Sequence, residues 1–283
     1  MIDSRMPGLC VVGSINLDII ATTARLPGPG ETVGDGVLSY QPGGKGGNQA
    51  AAAARLGGRT RMLGAVGDDD AGRRVVASLA EAGVDVSQIR EVPEPTGTAL
   101  IVVDRAGENQ IAVCPGANGL IELGDAEFTA DEIVLCQLEI DTEVVLAAAR
   151  RTAGFFALNA APAKSLPREL IERADLVIVN ETEYAQIPDL AAARFVAVTY
   201  GAKGAVLRRD GRVVASAQAR SVPVVNSIGA GDAFCAALVL ALRSGVGEEE
   251  SLELACAVGA AAVQDPASQP RFGGLFGYLD ESG

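Results

Sequence analysis

The stretch NSIGAGDAF, residues 226–234, packs small residues and one carboxylate between two apolar runs. Before it, SVPVV (221–225) reads as a short strand. After it, AFCAALVLALR (233–243) is long enough for about three helical turns. Asp232 at this strand-to-helix turn has an ordinary reading, as a cap that accepts a first-turn amide. The glycines ask for more. Gly229 and Gly231 let the backbone turn and pass close to a partner. Their amides point at the helix mouth, where the dipole is positive and anions bind, phosphate above all. A carboxylate beside a phosphate-binding mouth is electrostatically awkward, which points to chemistry.

Outward from this turn the chain alternates. LCVVGSI (9–15), RMLGAVG (61–67), EIVLCQL (132–138), GFFALN (154–159), ADLVIVN (174–180) and RFVAVTY (194–200) read as buried strands. NQAAAAARLGG (48–58), DAGRRVVASLAEAG (70–83) and TEVVLAAARR (142–151) read as helices between them. Such alternation predicts an α/β fold: a three-layer α/β/α body on a mainly parallel sheet. Residues 17–40 and 96–113 break the rhythm. They are strand-rich, with Gly and Pro turns, and read as a small β-sheet flap on the body.

The chain has 283 residues, 48% of them hydrophobic, enough for a sizeable core. Its formal net charge is −13, from 23 basic and 36 acidic residues, which disfavours nucleic acid or an anionic membrane as partner. An anionic ligand must therefore be held locally, by amides, a metal or a few cations. There is no His, which excludes Ser-His-Asp and Cys-His catalysis and His-ligated zinc. Cys10, Cys114, Cys136, Cys235 and Cys256 are far apart in apolar runs and fit buried thiols in a reducing compartment. No leader h-region is evident, and no apolar run approaches the roughly 18 residues of a membrane span. The expectation is a soluble cytoplasmic protein.

A second glycine cluster, PGGKGGNQA (42–50), precedes the Ala-rich helix. A P-loop would need Gly at 39 and Ser or Thr at 46, where Ser39 and Gly46 stand. The dinucleotide spacing G-x-G-x-x-G is absent too. The cluster is either a turn before a helix or a backbone approaching a hydroxylated ligand, with Lys45 and Asn48 as polar fingers. Asp18 follows the first strand, where α/β sheets bind ligands. It is a turn acid or a holder of sugar hydroxyls. Asn180 and Glu183, in NETE (180–183), either serve a metal–phosphate network or only cap the next helix.

Taken in order, GSINLD, GGKGGNQA, QLE, ALNAAPA, NETE, VTYGAKG and NSIGAGDAF resemble the ribokinase-like carbohydrate kinases, from about Leu9 to Pro270. The resemblance implies one kinase domain over 1–283, with a lid formed by 17–40 and 96–113. It implies transfer of the γ-phosphoryl of ATP, with Mg²⁺, to a sugar hydroxyl. Asp232 would be the base, and the amides of Gly229, Ala230 and Gly231 the anion hole, in keeping with phosphoryl transfer by positioning and charge stabilisation. Near the helix dipole the base would stay ionised. Asn16, Asp18, Gly44, Lys45, Gly46, Gly47, Asn48 and Glu139 would line the sugar site. Ala99, Ile101 and Val113 would face the sugar from the lid. Asn180, Thr199, Gly201, Lys203, Gly204, Gly231 and Cys256 would lie along ATP, with Glu183 in the Mg²⁺ network. Cys256 stands where some relatives place a polar residue near adenine.

The resemblance also implies a homodimer through the lid and activation by K⁺, held by a loop acid and carbonyls. The acid's position is Asn226 here. Ile228, Ala262, Asp265 and Ala267 form the rest of that loop region, and Arg271 falls where relatives carry a small residue. K⁺ is therefore expected to activate weakly or not at all. Between Glu183 and Arg194 the chain is shorter than relatives usually are. The flap segments contain only Arg25 and Arg105 as cations and Tyr40 as aromatic, which favours a small neutral pentose such as D-ribose. Alternatives are 2-deoxyribose, a ketohexose such as fructose, a nucleoside, or a non-catalytic sugar or nucleotide sensor on the same fold.

Overall fold

The computed structural model describes residues 6–279. Its strands are β1 Gly8–Val12, β2 Asn16–Thr23, β3 Val37–Gly43, β4 Arg59–Gly67, β5 Asp85–Val92, β6 Gly97–Asp104, β7 Asn109–Cys114, β8 Glu132–Gln137, β9 Phe155–Asn159, β10 Leu176–Asn180, β11 Phe195–Thr199, β12 Ala205–Arg209 and β13 Arg212–Ala217. Its α-helices are α1 Lys45–Arg55, α2 Asp70–Glu81, α3 Thr142–Arg151, α4 Arg168–Arg173, α5 Glu181–Gln186, α6 Ala230–Arg243 and α7 Glu248–Ala262.

A nine-stranded sheet runs β13-β12-β11-β10-β9-β8-β1-β4-β5. It is parallel from β11 through β5, and antiparallel where β12 and β13 close one edge. Its central strands are buried on both faces. In β1, Leu9 and Val11 enter one apolar cluster with residues of α1, α2, α6 and α7, whereas Cys10 and Val12 enter another with residues of α3 and α4. Two cores, one on each face of the sheet, make the three layers that the alternation predicted. Helix α6 is buried at every position from Asp232 through Ala241, so its start is held rigidly against the sheet.

A second sheet, β3-β2-β6-β7, has β2 parallel to β6 and antiparallel pairs at both sides. It corresponds to the flap read at 17–40 and 96–113. Strands β3 and β7 are its edges, and β7 is exposed along its whole length.

Two expectations are corrected. SVPVV is not a strand: Val224 and Val225 are largely exposed, Pro223 offers no amide, and the amides of Val225 and Asn226 both bond Val263 O at the end of α7. Cys114 is an exposed thiol because it sits on β7, while the other four cysteines are buried. The shortened region after α5 is filled by one 3₁₀ turn, Pro188–Ala192, with Ile187 and Leu190 buried under it. The hairpin β12–β13 and helix α7 were not anticipated.

Candidate active site

Strand β1 lies between β8 and β4, so successive crossovers leave it in opposite directions. In α/β sheets such a switch point opens a crevice at the carboxyl ends of the strands, where ligands bind. Here those ends carry Gly13–Asn16 after β1, and Leu138 and Glu139 after β8. The starts of α1 and α6 converge on the same place.

Asp232 is the third residue of α6, and the N-cap is Gly229. Its carboxylate does not cap its own helix. Oδ2 accepts from Asn48 Nδ2 at 3.0 Å and Oδ1 from Gln49 Nε2 at 3.0 Å, both on α1. Gln49 Nε2 also donates to Asn159 Oδ1 at 3.0 Å, and Gln49 Oε1 accepts from Gln137 Nε2 at 2.6 Å. On the other side, Asn48 Oδ1 accepts from Gln269 Nε2 at 3.2 Å. All of these side chains are buried. Burial raises the Asp232 carboxyl above its ordinary value; the Lys45 charge and the two amides oppose that, and Glu139 adds to it. Burial, Lys45, Glu139 and the two amides therefore act on its ionisation beside the helix dipole.

The turn before α6 is built for close approach. Gly229 has φ +80°, and an added Cβ there would lie 2.2 Å from Ser268 O. Gly231 is different: an added Cβ would meet nothing within 4 Å. The amides of Gly231 and Asp232 belong to the first helical turn, which has no preceding turn of carbonyls to bond, whereas the Ala230 amide makes a long bond, 3.4 Å, to Ser227 O.

A second constellation surrounds the start of α1. Ser14 Oγ donates to Glu139 Oε2 at 2.6 Å, and the Lys45 amide donates to the same oxygen at 2.9 Å. The Gly47 amide bonds Ser14 O at 2.9 Å. Cβ atoms at Gly44 and Gly46 would meet the backbone of Ser14 at 2.9 and 2.7 Å, so these glycines exist to press α1 on the β1–β2 link. The Lys45 ammonium is raised: desolvation works against the charge, but Asp232, Glu139, Glu183 and Cys235 outweigh it. The Asp18 carboxyl is pushed up to about 7, first by burial and then by Glu139 and Asp232. It packs over Gly43, where an added Cβ would sit 2.1 Å from Oδ1. Asn16 Oδ1 accepts from Asn118 Nδ2 at 2.7 Å.

In the small sheet, Gln41, Asp18, Ala99 and Val113 form one register row, and Ile20, Ile101 and Ile111 belong to the row two residues on. Ala99, Ile101 and Val113 thus share the face of Asp18. Tyr40 is in the alternate row and faces away, with the Arg74 guanidinium 5.4 Å from its ring. Arg25 is exposed and paired with Glu31 at 2.6 Å.

Asn180 and Thr199 are register partners at the ends of β10 and β11. Asn180 and Glu183 form a capping box, with reciprocal bonds of 2.8 Å, so their capping reading holds in this structure. Gly201 and Lys203 form an exposed 3₁₀ turn, and a Cβ at Gly204 would lie 2.0 Å from Ala217 O. Cys256 is a buried thiol on α7, raised to about 11 by burial and by Glu253. Before α6, Asn226 Nδ2 donates to Pro266 O of the loop after α7 at 3.0 Å, and its Oδ1 accepts from Ile228 N at 3.0 Å. Ala262 O accepts from Asp265 N, and Asp265 accepts from the amides of Ala267 and Arg271. The Arg271 residue is exposed, and its charge helps lower the Arg55 guanidinium, after the larger effect of burial. The same loop meets the small sheet, because Ser268 donates to Gln41 through its amide at 2.8 Å and through its hydroxyl.

Gln49, Gln137, Asn159 and Gln269 were missed as site residues. Gln49 left a signal: an amide at the head of a run of alanines on a buried helix needs partners. Among the described residues no cluster of three His, Cys, Asp or Glu side chains could hold a metal alone. That fits a metal bound through one or two carboxylates and a ligand's phosphates, as Mg²⁺ commonly is.

The sequence profile of the "pfkB family carbohydrate kinase" matches residues 6–271. A ribokinase of Bacillus subtilis is 36% identical over 267 residues, covering 88% of this chain and 90% of its own. A crystal structure of a ribokinase from Thermotoga maritima superposes with a TM-score of 0.87 at 28% identity, over 97% of this chain and 99% of its own. The Arabidopsis thaliana ribokinase complexed with ribose and ATP gives a TM-score of 0.81 at 30% identity, over 97% and 98%.

Proposed function

The chain belongs to the pfkB family of carbohydrate kinases, and from that premise we propose that it transfers the γ-phosphoryl of ATP to a hydroxyl of D-ribose, giving ribose 5-phosphate. The observation that carries this reading is a buried carboxylate, Asp232, fixed by two amides at the mouth of a helix and flanked by Lys45 and Glu139.

Asp232 takes the proton of the attacking hydroxyl as that oxygen bonds to the γ-phosphorus and the bond to the ADP oxygen breaks. A raised carboxyl is a stronger base, and general bases of this kind are worth about 10²–10⁴-fold in rate. The amides of Gly229, Ala230 and Gly231 meet the negative charge on the moving phosphoryl, and Lys45 adds a cation from the sugar side. Glu183 would help to hold an Mg²⁺ that comes with the nucleotide, and that ion would supply further charge neutralisation. Asp18, Asn16, Asn48 and Glu139 hold the sugar hydroxyls. The small sheet, with Ala99, Ile101 and Val113 on its inner face, closes as a lid and pairs with a second copy. We also read residues 1–283 as one kinase domain working in the cytoplasm, with K⁺ a weak activator at most.

A neutral sugar is favoured because the one paired cation of the lid, Arg25, already neutralises Glu31. A nucleoside is disfavoured because Tyr40 faces away from Asp18 and cannot stack on a base there. A coupled assay of ADP release across ribose, 2-deoxyribose, fructose and nucleosides tests the reading. Release with ribose is the expected result, and release with none of them would leave a sugar-binding sensor instead.

A further inference from the structure

Gln49 has no place in the chemistry described so far, yet it is fully buried and every polar atom of its side chain is used. Its nitrogen donates to Asp232 Oδ1 and to Asn159 Oδ1, each at 3.0 Å, and its oxygen accepts from Gln137 Nε2 at 2.6 Å. Asn159 is itself fixed, because its nitrogen donates to Ile178 O at 3.1 Å. These partners come from β8 and β9, so the sheet decides which way the Gln49 amide faces. A flipped amide would set oxygen against the Asn159 oxygen, which Ile178 O holds in place. It would also set nitrogen against the Gln137 nitrogen unless Gln137 turned with it, since Gln137 Oε1 has no partner of its own among the described residues, so Asn159 is the stronger constraint. The N–H must therefore point at Asp232. With Asn48 on Oδ2, both carboxylate oxygens face donors, and a proton on either would displace a hydrogen bond.

We propose that Gln49, oriented by Gln137 and Asn159, is the positioning residue that keeps Asp232 ionised and aimed at the sugar hydroxyl. The proposal rests on Asp232 being the base. Other groups act on the same carboxylate: Lys45 from α1, Glu139 after β8, Asp18 from β2 and Cys235 on α6, with Glu183 of α5 acting on Lys45 and Cys235. None of them forms a hydrogen bond that fixes its direction; the amide relay does.

The test reads Asp232 without needing turnover. Protein carrying ¹³C-carboxyl aspartate is titrated by NMR, and the Asp232 signal is assigned as the one lost in Asp232→Asn. Gln49→Met removes the donor at similar volume and should move the Asp232 midpoint up by about one pH unit, since a hydrogen bond to a charged group is lost. Gln137→Met, which only frees the amide to turn, should move it up by less, and it carries the test if Gln49→Met does not fold. In turnover, the acid limb of kcat should move up with the midpoint while the sugar KM stays the same. Unchanged midpoints in the variants that fold would overturn the proposal. A shifted midpoint in a protein that phosphorylates no sugar would support the positioning and overturn only the kinase reading.

Discussion

The Asn48 side-chain amide donates to Asp232 Oδ2 across 3.0 Å, joining the first turns of two helices that lie 184 residues apart in the chain. One residue read as a sugar contact and one read as a base are thus a single unit. Asn48→Ala should lower kcat and raise the sugar KM together, because a buried carboxylate loses a donor worth about 1.5–3 kcal/mol. The ATP KM should hold. Steady-state kinetics with each substrate varied checks this, and a rise confined to the ATP KM would count against the site.

Asp18 makes the stability of the folded chain depend on pH. Its carboxyl rises from 3.8 to about 7 in the folded protein. The folded state therefore holds a proton that the unfolded state has released over that interval. Stability from this group is present below about pH 4 and is lost as pH rises towards 7. Asp18→Asn should flatten that decline in denaturant unfolding measured between pH 4 and 7. A wild-type curve that rises over this range with no change in Asp18→Asn would show the group to be ordinary.

Gly229 and Gly231 separate folding from function. Gly229→Ala places a methyl against Ser268 O at a left-handed φ and should lower the melting temperature markedly; the left-handed backbone alone costs about 1–2 kcal/mol. Gly231→Ala meets nothing within 4 Å and should leave melting unchanged while kcat falls, because, on the proposed mechanism, the methyl enters the side from which the phosphoryl would approach. Calorimetry and kcat on the two variants read both effects. Equal loss of stability in both would remove the distinction.

Much of this was legible in the sequence, and the parts that were not share a cause. Alternating apolar runs fix strands and helices because burial on both faces of a parallel sheet demands them. The glycine clusters at 43–47 and 229–231 marked where backbone approaches something, and the structure shows α1 pressed on Ser14 and the α6 turn pressed on Ser268. SVPVV had strand composition but no neighbouring edge, and a strand is a property of its partner as much as of its residues. The ladder through Gln137, Gln49 and Asp232 spans three distant segments, and no local pattern carries such pairings.

The cation loop gives an expected absence of strong activation. Both polar atoms of Asn226 already serve the turn, through Pro266 O and Ile228 N, and an amide lacks the attraction of a full charge. Replacing K⁺ by a large organic cation should change kcat little. In the variant combining Asn226→Asp with Arg271→Ser, K⁺ activation should appear. A strong K⁺ requirement in the unmodified protein would contradict this.

The small sheet should pair with a second copy. Val37, Ile111 and Val113 are 69%, 55% and 53% exposed on the face that carries Asp18, and β7 is an unprotected edge. Light scattering at micromolar concentration should give a dimer, and Ile111→Lys a monomer. A monomeric unmodified protein would remove the claim.

The central claim is that Asp232 is the base of a sugar kinase, and the most direct test is the kcat of Asp232→Asn in a coupled ADP-release assay with ribose, ATP and Mg²⁺. The exchange is nearly isosteric, so ribose binding should largely survive while kcat falls by about 10²–10⁴-fold. Retention of more than about a tenth of the unmodified kcat would contradict a base role of that size.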